Sequence, residues 1–305
     1  MPHRLLSESN FVFRPYQRPF DAANFFQEHA PQWQSLSETL THWGGATGID
    51  PRVILTTLAI TENWPGAEAP DEHAITHIKD EIKRIANQLS QQFYTYKYQK
   101  DLHSYSASTL SIINQLNQFS DWQQWNDQYK SWFGGDAMDD AEVLQTQNLK
   151  TATAIPTIPE QGFMQWPWRQ GFNWIPNGPH SYTGSGYPLS SIDVSYDWPK
   201  WGATTYDVAA ANAGYVNVLS RCELRITNPN GWSTNYYHMD GLLVQDGQWV
   251  DKNTVLGYYA YDKTAALCSG GSSTGPHMHF SVLYNGVYQS IQGTDIWSIQ
   301  SSGGS

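Results

Sequence analysis

The hydrophobic and polar positions of this chain follow a helical period in the first half and a strand period in the second. Between residue 71 and about residue 98, apolar residues recur at steps of three and four, which predicts one long amphipathic helix. These residues are Ile75, Ile78, Ile82, Ile85, Leu89 and Phe93. The pair Asp50-Pro51 ahead of RVILTTLAI predicts a capped helix start. Two further helical patterns cover residues 108–119 and 121–132, and Gly134-Gly135 ends the last one.

The pattern changes after about residue 148. The segment KTATAIPTIPEQG has two prolines among small residues, which indicates an extended connector. Short β-type runs follow, separated by turn signals at residues 228–231 (Asn-Pro-Asn-Gly) and at Asn285-Gly286. We therefore predict an α+β chain, in which a mostly helical domain (residues 1–157) precedes an antiparallel all-β domain (residues 158–305).

Composition excludes several classes of protein. The 305 residues are 40% hydrophobic and only 15% charged, which argues against disorder. A formal net charge of -11 without any basic stripe argues against nucleic-acid binding. No apolar run reaches the roughly 20 residues that a membrane span needs.

The N-terminus and the cysteines bear on the cellular compartment. The first residues, MPHRLLSESNFVF, lack the apolar core of a signal peptide, so either the protein is cytosolic or a signal peptide has been removed. Cys222 and Cys268 are the two cysteines of the chain, and both lie in the second half. Such a pair fits one disulfide and export, with two buried free thiols as the alternative.

Four histidines in the β-rich half are candidates for chemistry. In the strand-like segment PHMHFSVLY, alternation places His277 and His279 on one face, with Met278 and Phe280 on the other. Two imidazoles on one face suit a site where one binds a metal ion and the other handles protons. Spacing alone leaves open which of the two is the ligand, and surface or structural histidines are the alternative.

His180 and Asp193 extend this candidate site. A Gly/Ser-rich loop leads from His180 to Asp193 in a short strand, so an imidazole and a carboxylate can join one histidine of the HxH pair as three zinc ligands. The alternative for Asp193 is a turn or capping residue. His238 lies in STNYYHMD, where alternation predicts Tyr236 on its side and Tyr237 on the other.

Three motifs in the second half match a known family. They are NGPHSYTGSGYPLSSIDVSYDWP, GWSTNYYHMD and ALCSGGSSTGPHMHFSVLYNG. Through them, the chain from about residue 164 to residue 297 resembles the β-lytic and staphylolytic branch of the lysostaphin-type zinc metallopeptidases. The resemblance implies His180, Asp193 and His279 as ligands of one Zn²⁺ ion, and His238 and His277 as catalytic residues. It also implies a disulfide between Cys222 and Cys268.

The same resemblance implies a function. We expect a secreted, bacteriolytic zinc metalloendopeptidase that cleaves glycine-rich peptide bonds, in peptidoglycan cross-bridges and in elastin. No HExxH motif is present, so a thermolysin-type glutamate base is not expected. Residues 1–157 are expected to be a prodomain that assists folding and inhibits the peptidase until a cut near residues 157–161. The expected partners are a cell-wall or glycine-rich peptide and this prodomain, without nucleic acid or a membrane span.

Aromatic residues are candidates for the walls of a narrow substrate groove. Tyr236 and Tyr237 are predicted substrate contacts, and four tryptophans are further candidates: Trp174, Trp198, Trp232 and Trp249.

Two other functions are compatible with parts of the sequence. The first is a catalytically silent peptidase-like module that binds cell walls or regulates another protein. The second rests on GIDPRVILTTLAITENWPG, which resembles the opening helix of lytic transglycosylases with Glu62 as the acid.

Overall fold

The computed structural model describes residues 5–66, 68–98, 105–134, 159, 162–183 and 186–291. The chain divides into two compact units. The first comprises Met1–Arg14 and Arg18–Thr157, and the second comprises Pro15–Gln17 and Ile158–Ser305. The expected cleavage region at residues 157–161 lies almost entirely outside the described residues.

The described part of the first unit is helical. Its α-helices are α1 (Glu8–Phe11), α2 (Ala22–His29), α3 (Ser37–Thr47), α4 (Pro51–Thr61), α5 (Glu72–Tyr98), α6 (Ala107–Ile113) and α7 (Trp122–Phe133). Two 3₁₀ helices cover Pro31–Leu36 and Phe119–Asp121. Asp50 caps α4 as predicted, because its side chain accepts a hydrogen bond from the backbone N–H of Arg52.

Helix α5 confirms the long amphipathic helix. Of the predicted stripe it buries Ile78, Ile82, Ile85, Leu89 and Phe93, and Ile75 is half-buried. None of the helices in the described ranges is long and apolar enough to cross a membrane. The apolar residues that recur every three or four positions thus form one face of α5, and this face lies in the core of the first unit.

The two helices after α5 differ in how well the pattern predicted them. Helix α7 agrees with the predicted residues 121–132, and Gly134 follows it at a φ of 73°. Helix α6 is shorter than the predicted residues 108–119 and ends at Ile113. The mostly polar residues 114–118 follow it, and Asp121 accepts a hydrogen bond from the backbone N–H of Gln118 at the start of a separate 3₁₀ turn. This local capping interrupts what the apolar spacing indicated as one helix.

The second unit is built on two antiparallel sheets. Its strands are β1 (Ile175–Pro176), β2 (Ser191–Ser195), β3 (Asp207–Ala209), β4 (Gly214–Ser220), β5 (Glu223–Thr227), β6 (Trp232–Tyr237), β7 (Met239–Asp240), β8 (Trp249–Val250), β9 (Val255–Tyr259), β10 (Met278–Tyr284) and β11 (Val287–Tyr288). The larger sheet has the order β1-β2-β10-β6-β5-β4-β8, with β11 also paired to β10. The smaller sheet has the order β3-β9-β7. A short helix, α8 (Lys263–Ala266), follows β9. The predicted α+β class, helical first and antiparallel second, is confirmed.

The predicted turn signals end strands where expected. Asn285 and Gly286 join β10 to β11 with φ values of 49° and 81°, the left-handed pair that a two-residue hairpin requires. At the earlier signal, the N–H of Gly231 donates to the carbonyl of Asn228 over 3.0 Å, between β5 and β6.

Alternation along the strands separates a hydrophobic face from a polar face. Met278 and Phe280 of β10 and Ile192 and Val194 of β2 belong to one buried hydrophobic core. The residues between them, Asp193 and His279 among others, therefore project from the opposite face of the sheet. The strand pattern thus places the candidate site on the polar face.

Candidate active site and metal centre

Two neighbouring strands bring Asp193 and His279 together. In the register of β2 and β10, these residues stand directly opposite each other. Residues opposed in this way have Cβ atoms about 5 Å apart on the same face of the sheet. Asp193 Oδ1 lies 2.8 Å from His279 Nδ1. The pairing of strands therefore joins two residues that are 86 positions apart in the sequence.

His180 approaches this pair from an isolated bridge beside β2. Its backbone N–H donates to the carbonyl of Ser191, and the N–H of Ser191 donates back to the carbonyl of His180, each over 2.9 Å. His180 Nε2 then lies 3.3 Å from Asp193 Oδ1 and 3.3 Å from His279 Nδ1. The backbone bridge thus directs the imidazole of His180 toward the other two side chains.

The three side chains form a donor set that suits a zinc ion. Their converging atoms, one each from His180, Asp193 and His279, lie within 4.8 Å of one another. Two imidazole nitrogens and one carboxylate oxygen are typical zinc ligands, and three protein ligands leave the fourth tetrahedral position for water or substrate. All three side chains are partly exposed, which leaves such a position accessible.

The remaining polar atoms of the donor set are also bound. His180 Nδ1 donates to the carbonyl of Gly178 over 3.2 Å. His279 Nε2 lies 3.4 Å from the hydroxyl of Ser281, which in turn lies 2.7 Å from the hydroxyl of Ser191. Contacts of this kind fix the orientation of ligand imidazoles. Both rings are therefore held with one nitrogen directed at Asp193.

Asp193 is a carboxylate rather than a carboxylic acid in this site. Burial favours the neutral form, but hydrogen bonds from His180 and then His279 outweigh it and hold the pKa of Asp193 well below its usual range. The group therefore stays ionised at neutral pH, as a metal ligand must be.

Asn177 holds Asp193 in place, and the sequence did not identify this residue. The side-chain amide of Asn177 donates to Asp193 Oδ2 over 3.1 Å, and its oxygen accepts from the backbone N–H of Asp193 over 2.8 Å. The backbone N–H of Asn177 also donates to the carbonyl of Asp193 over 2.9 Å. An asparagine in the turn PNGPH carries no pattern that points to such a role.

We expect Asn177→Ala to lower the affinity for zinc about 10–100-fold, because partners that orient a metal ligand typically contribute this much. Competition with a chromophoric chelator measures the affinity. Asn177→Asp is the informative companion variant, since it keeps an acceptor for the N–H of Asp193 but places a second carboxylate against Oδ2. Asn24→Ala, on the exposed surface of α2, serves as the control. An unchanged affinity in both Asn177 variants would contradict this role.

His277 lies immediately before β10, beside the donor set. Its Nδ1 donates to the carbonyl of Gly275 over 2.9 Å, and its Nε2 lies 3.7 Å from Asp193 Oδ2. Met278 and Phe280 point into the core, so His277 and His279 share the polar face as alternation predicted. His277 thus presents Nε2 toward the candidate metal position without belonging to the three-residue donor set.

His238 follows β6 in a left-handed conformation. Its φ is 67°, which is costly for a non-glycine residue and needs support from its neighbours. The ring stacks on Tyr237 with centroids 4.0 Å apart and meets the ring of His277 at 4.8 Å. The predicted alternation, with Tyr236 on the side of His238, is therefore wrong. The left-handed residue interrupts the strand, so His238 and Tyr237 lie together.

The imidazole of His238 has a defined tautomer. Its Nδ1 donates to the carbonyl of Ala266 over 2.9 Å, so Nε2 on the other side of the ring is a free acceptor. Burial, and after it the nearby His277, lowers the pKa of His238 to about 3. Burial also lowers the pKa of His277, although Asp193 opposes this effect.

The structure corrects one of the predicted substrate contacts. Tyr236 is fully buried, and its hydroxyl accepts from the backbone N–H of Ala211 over 2.7 Å, so the ring is part of the core. The hydroxyl of Tyr237 donates to the carbonyl of Gly270 over 2.7 Å. Its contact with substrate stays a prediction.

The four candidate tryptophans divide between the core and the surface. Trp174 and Trp232 belong to the core cluster, which excludes them as groove walls. Trp198 and Trp249 are exposed, and the ring of Trp198 lies 5.8 Å from that of His277. Trp198 is therefore the tryptophan candidate that stands beside the histidine pair.

The structure also shows the surroundings of the cysteine pair and of Glu62, the acid of the transglycosylase alternative. Cys222 and Cys268 form the disulfide that the resemblance implied. In the first unit, the carboxylate of Glu62 lies 3.7 Å from His77 Nε2 and 3.8 Å from a guanidinium nitrogen of Arg84. Glu62 thus pairs with Arg84 and lies beside the imidazole of His77 at the end of α4.

The five predicted site residues thus lie close together in an antiparallel β domain that follows a helical unit in the chain. Residues 201–291 match the model of Peptidase family M23, and residues 4–148 match the model "LasA, N-terminal domain". The chain belongs to the M23 metallopeptidases, in the group that carries a LasA N-terminal domain, and is a peptide hydrolase.

The chain is also similar to several individual proteins. Protease LasA from Pseudomonas aeruginosa is 41% identical over 322 residues, which cover 94% of this chain and 75% of the relative. A β-lytic metalloendopeptidase from Achromobacter lyticus is 39% identical over 140 residues, or 45% of this chain and 37% of the relative. Among solved structures, the M23 metalloprotease pseudoalterin from the deep sea is 46% identical over 42% of this chain and 74% of its own, with a TM-score of 0.41.

Proposed function

We propose that this chain is a secreted, bacteriolytic zinc metalloendopeptidase, made as a latent proenzyme, that cleaves glycine-rich peptide bonds. One observation carries the proposal. Within an M23 domain, the ligand atoms of His180, Asp193 and His279 converge within 4.8 Å, and His238 and His277 stand directly beside them.

His180, Asp193 and His279 would hold one zinc ion through Nε2, a carboxylate oxygen and Nδ1. Such an ion, when bound, would act as a Lewis acid toward the scissile carbonyl and would lower the pKa of a water molecule to about 7. Asn177 and the hydroxyl of Ser281 keep the ligands in their orientation. The partial exposure of the ligands admits a peptide backbone from solvent.

His238 and His277 handle protons and orient the reacting groups. Each ring donates Nδ1–H to a backbone carbonyl, of Ala266 and Gly275 respectively, so each presents Nε2 to the site. At Nε2, the pair takes a proton from the attacking water and returns one to the departing amine. Positioned groups of this kind contribute about 10²–10⁴-fold to the rate.

The preference for glycine rests on aromatic residues beside the histidine pair. Trp198 is exposed next to His277, and Tyr237 stacks against His238. Flat rings near the reacting atoms favour a backbone without side chains. A β-lytic metalloendopeptidase is among the similar proteins, which supports an endopeptidase with a lytic action.

Secretion and latency have separate support. The disulfide between Cys222 and Cys268 fits an oxidising compartment. The unit before the peptidase domain has its own helical core and matches a family-specific N-terminal domain, which supports an inhibitory and folding role for residues 1–157.

The test is zinc-dependent cleavage of pentaglycine. The full chain is treated with limiting protease, and the N-terminus of each active species is sequenced. We expect one equivalent of zinc, weak activity before the cut, and cleavage of pentaglycine but not pentaalanine after a cut near residue 157. A chelator is expected to abolish cleavage, and added zinc to restore it.

The outcomes separate the proposal from its rivals. Stoichiometric zinc without hydrolysis of pentaglycine after removal of residues 1–157 would favour a silent wall-binding module. Cleavage of cell-wall glycan that survives the chelator and fails in Glu62→Gln would favour the transglycosylase. Equal activity before and after the cut would contradict the latent proenzyme but would leave the zinc peptidase proposal intact.

A further inference from the structure

One short segment of the β unit contacts two consecutive residues of the candidate site. We call residues 263–271 the clamp segment; it begins with α8 and ends at Gly271. The carbonyl of Ala266 accepts the hydrogen bond from His238 Nδ1 over 2.9 Å. Four residues later, the carbonyl of Gly270 accepts from the hydroxyl of Tyr237 over 2.7 Å. Both contacts therefore depend on where this segment lies.

The clamp segment has little regular structure of its own. Helix α8 has four residues, far fewer than a helix needs for independent stability. Asp262 caps it by accepting from the backbone N–H groups of Thr264 and Ala265 over 2.9 and 3.0 Å. So short a helix needs a covalent or hydrogen-bonded contact with the rest of the domain to stay in one position.

The disulfide between Cys222 and Cys268 provides such a contact. Cys268 lies within the clamp segment and is bonded to Cys222, which immediately precedes β5, across a separation of 46 residues. The guanidinium of Arg221 also donates to the carbonyl of Cys268 over 3.2 Å. The clamp segment is thus fastened to the end of a strand of the large sheet.

The same disulfide also supports the backbone of His238. The carbonyl of Cys222 accepts from the N–H of Met239 over 3.0 Å, and the N–H of Ala260 donates to the carbonyl of His238 over 2.8 Å. The left-handed conformation of His238, with a φ of 67°, is therefore supported on its C-terminal side by Cys222. Its side chain is held by the segment that Cys268 anchors.

We propose that the Cys222–Cys268 disulfide and the clamp segment are positioning elements for catalysis. They hold His238 in the tautomer that carries its proton on Nδ1. This inference rests on the catalytic role proposed for His238. Neutral imidazole has two tautomers, and only this one leaves Nε2 free to accept a proton. The Ala266 carbonyl selects it, and the disulfide keeps that carbonyl in place.

The proposal predicts that loss of the disulfide changes the turnover rate but not the binding of zinc. The zinc ligands are positioned by β2, β10 and the His180–Ser191 bridge, which are distinct from the clamp segment. Loss of the disulfide is therefore expected to spare zinc binding and impair the proton handling at His238.

The first test is the double variant Cys222→Ser/Cys268→Ser, made as the full chain and activated like the unsubstituted chain. We expect unchanged zinc content, a KM within about twofold, and a kcat lower by about 10–100-fold, as for partners that orient a site residue. Nitrogen-15 NMR of the histidines is expected to show His238 as a mixture of tautomers rather than the Nδ1–H form. Unchanged kcat and an unchanged tautomer would overturn the proposal.

A second variant keeps both cysteines and covers the case where the first does not fold. A Cβ added at Gly271 would lie 2.6 Å from the Tyr237 hydroxyl, at a φ of 109°. We expect Gly271→Ala to displace the clamp segment, lower kcat and mix the tautomers of His238. Gly247→Ala is the matched control, because Gly247 has a φ of 75° and open space at the Cβ position. Equal behaviour of the two alanine variants would overturn the proposal.

His238→Ala in the same assay distinguishes this inference from the proposed function. Full activity in His238→Ala would show that the catalytic role of His238 is wrong. Lost activity in His238→Ala with full activity in the disulfide and Gly271 variants would show that the positioning role alone is wrong.

Discussion

Replacing Asp193 with alanine is expected to release zinc and to lower peptide cleavage more than about 10³-fold, because the ligands act as one unit. The carboxylate contacts both other ligands, at 2.8 Å from His279 Nδ1 and 3.3 Å from His180 Nε2. Without it, two imidazoles face each other over 3.3 Å with no anion between them. Zinc content by atomic emission and the rate of pentaglycine cleavage are the two measurements.

His180→Ala and His279→Ala are expected to behave like Asp193→Ala. For the zinc content of the uncut chain, His73→Ala is the control, since His73 is exposed on α5 in the first unit. Retention of one zinc equivalent and of activity in Asp193→Ala would show that the ion is held elsewhere. Loss of zinc in His73→Ala would show that zinc content in this assay reports folding rather than ligation.

The second large effect is expected at His277. We predict that His277→Ala keeps one equivalent of zinc and loses about 10²–10⁴-fold in kcat, the usual contribution of a positioned proton-transfer group. His277 Nδ1 is bound to the carbonyl of Gly275, and its Nε2 lies 3.7 Å from Asp193 Oδ2, outside the closest donor set. Zinc content and steady-state kinetics distinguish the two roles within the HxH pair.

The comparison of His277→Ala with His279→Ala makes this test specific. The two residues lie two positions apart, so a general effect on the strand would alter both variants alike. Zinc loss in His277→Ala together with zinc retention in His279→Ala would reverse the ligand assignment. Full kcat in His277→Ala would remove it from the mechanism while leaving the zinc site in place.

The elements of the fold followed from local sequence to a large extent. The stripe of α5 and the Asn285-Gly286 hairpin appear where their patterns predicted them. Helix α6 is the exception among these, because the chain leaves the helix after Ile113 and Gln118 caps a separate 3₁₀ turn. Hydrogen bonds from side chains to the backbone compete with the backbone hydrogen bonds of a helix. The spacing of apolar residues carries no information about that competition.

The candidate site followed from sequence only in part. Alternation correctly placed His277 and His279 on one face, and it failed at His238, where a φ of 67° turns the ring toward Tyr237. Tyr236 was expected beside the substrate and lies in the core instead. Asn177 was not identified, because its contacts with Asp193 come from a turn 16 residues away.

Local sequence patterns specified the long helix α5, the antiparallel β class of the second half and which positions of β10 are polar. Periodicity carries that information because burial of one face stabilises each element locally. The tertiary structure alone decided that Asp193 meets His279, that Asn177 holds Asp193, and that Ala266 orients His238. Such contacts depend on the pairing of distant segments and on a single left-handed residue, which only the packing of the whole β unit specifies.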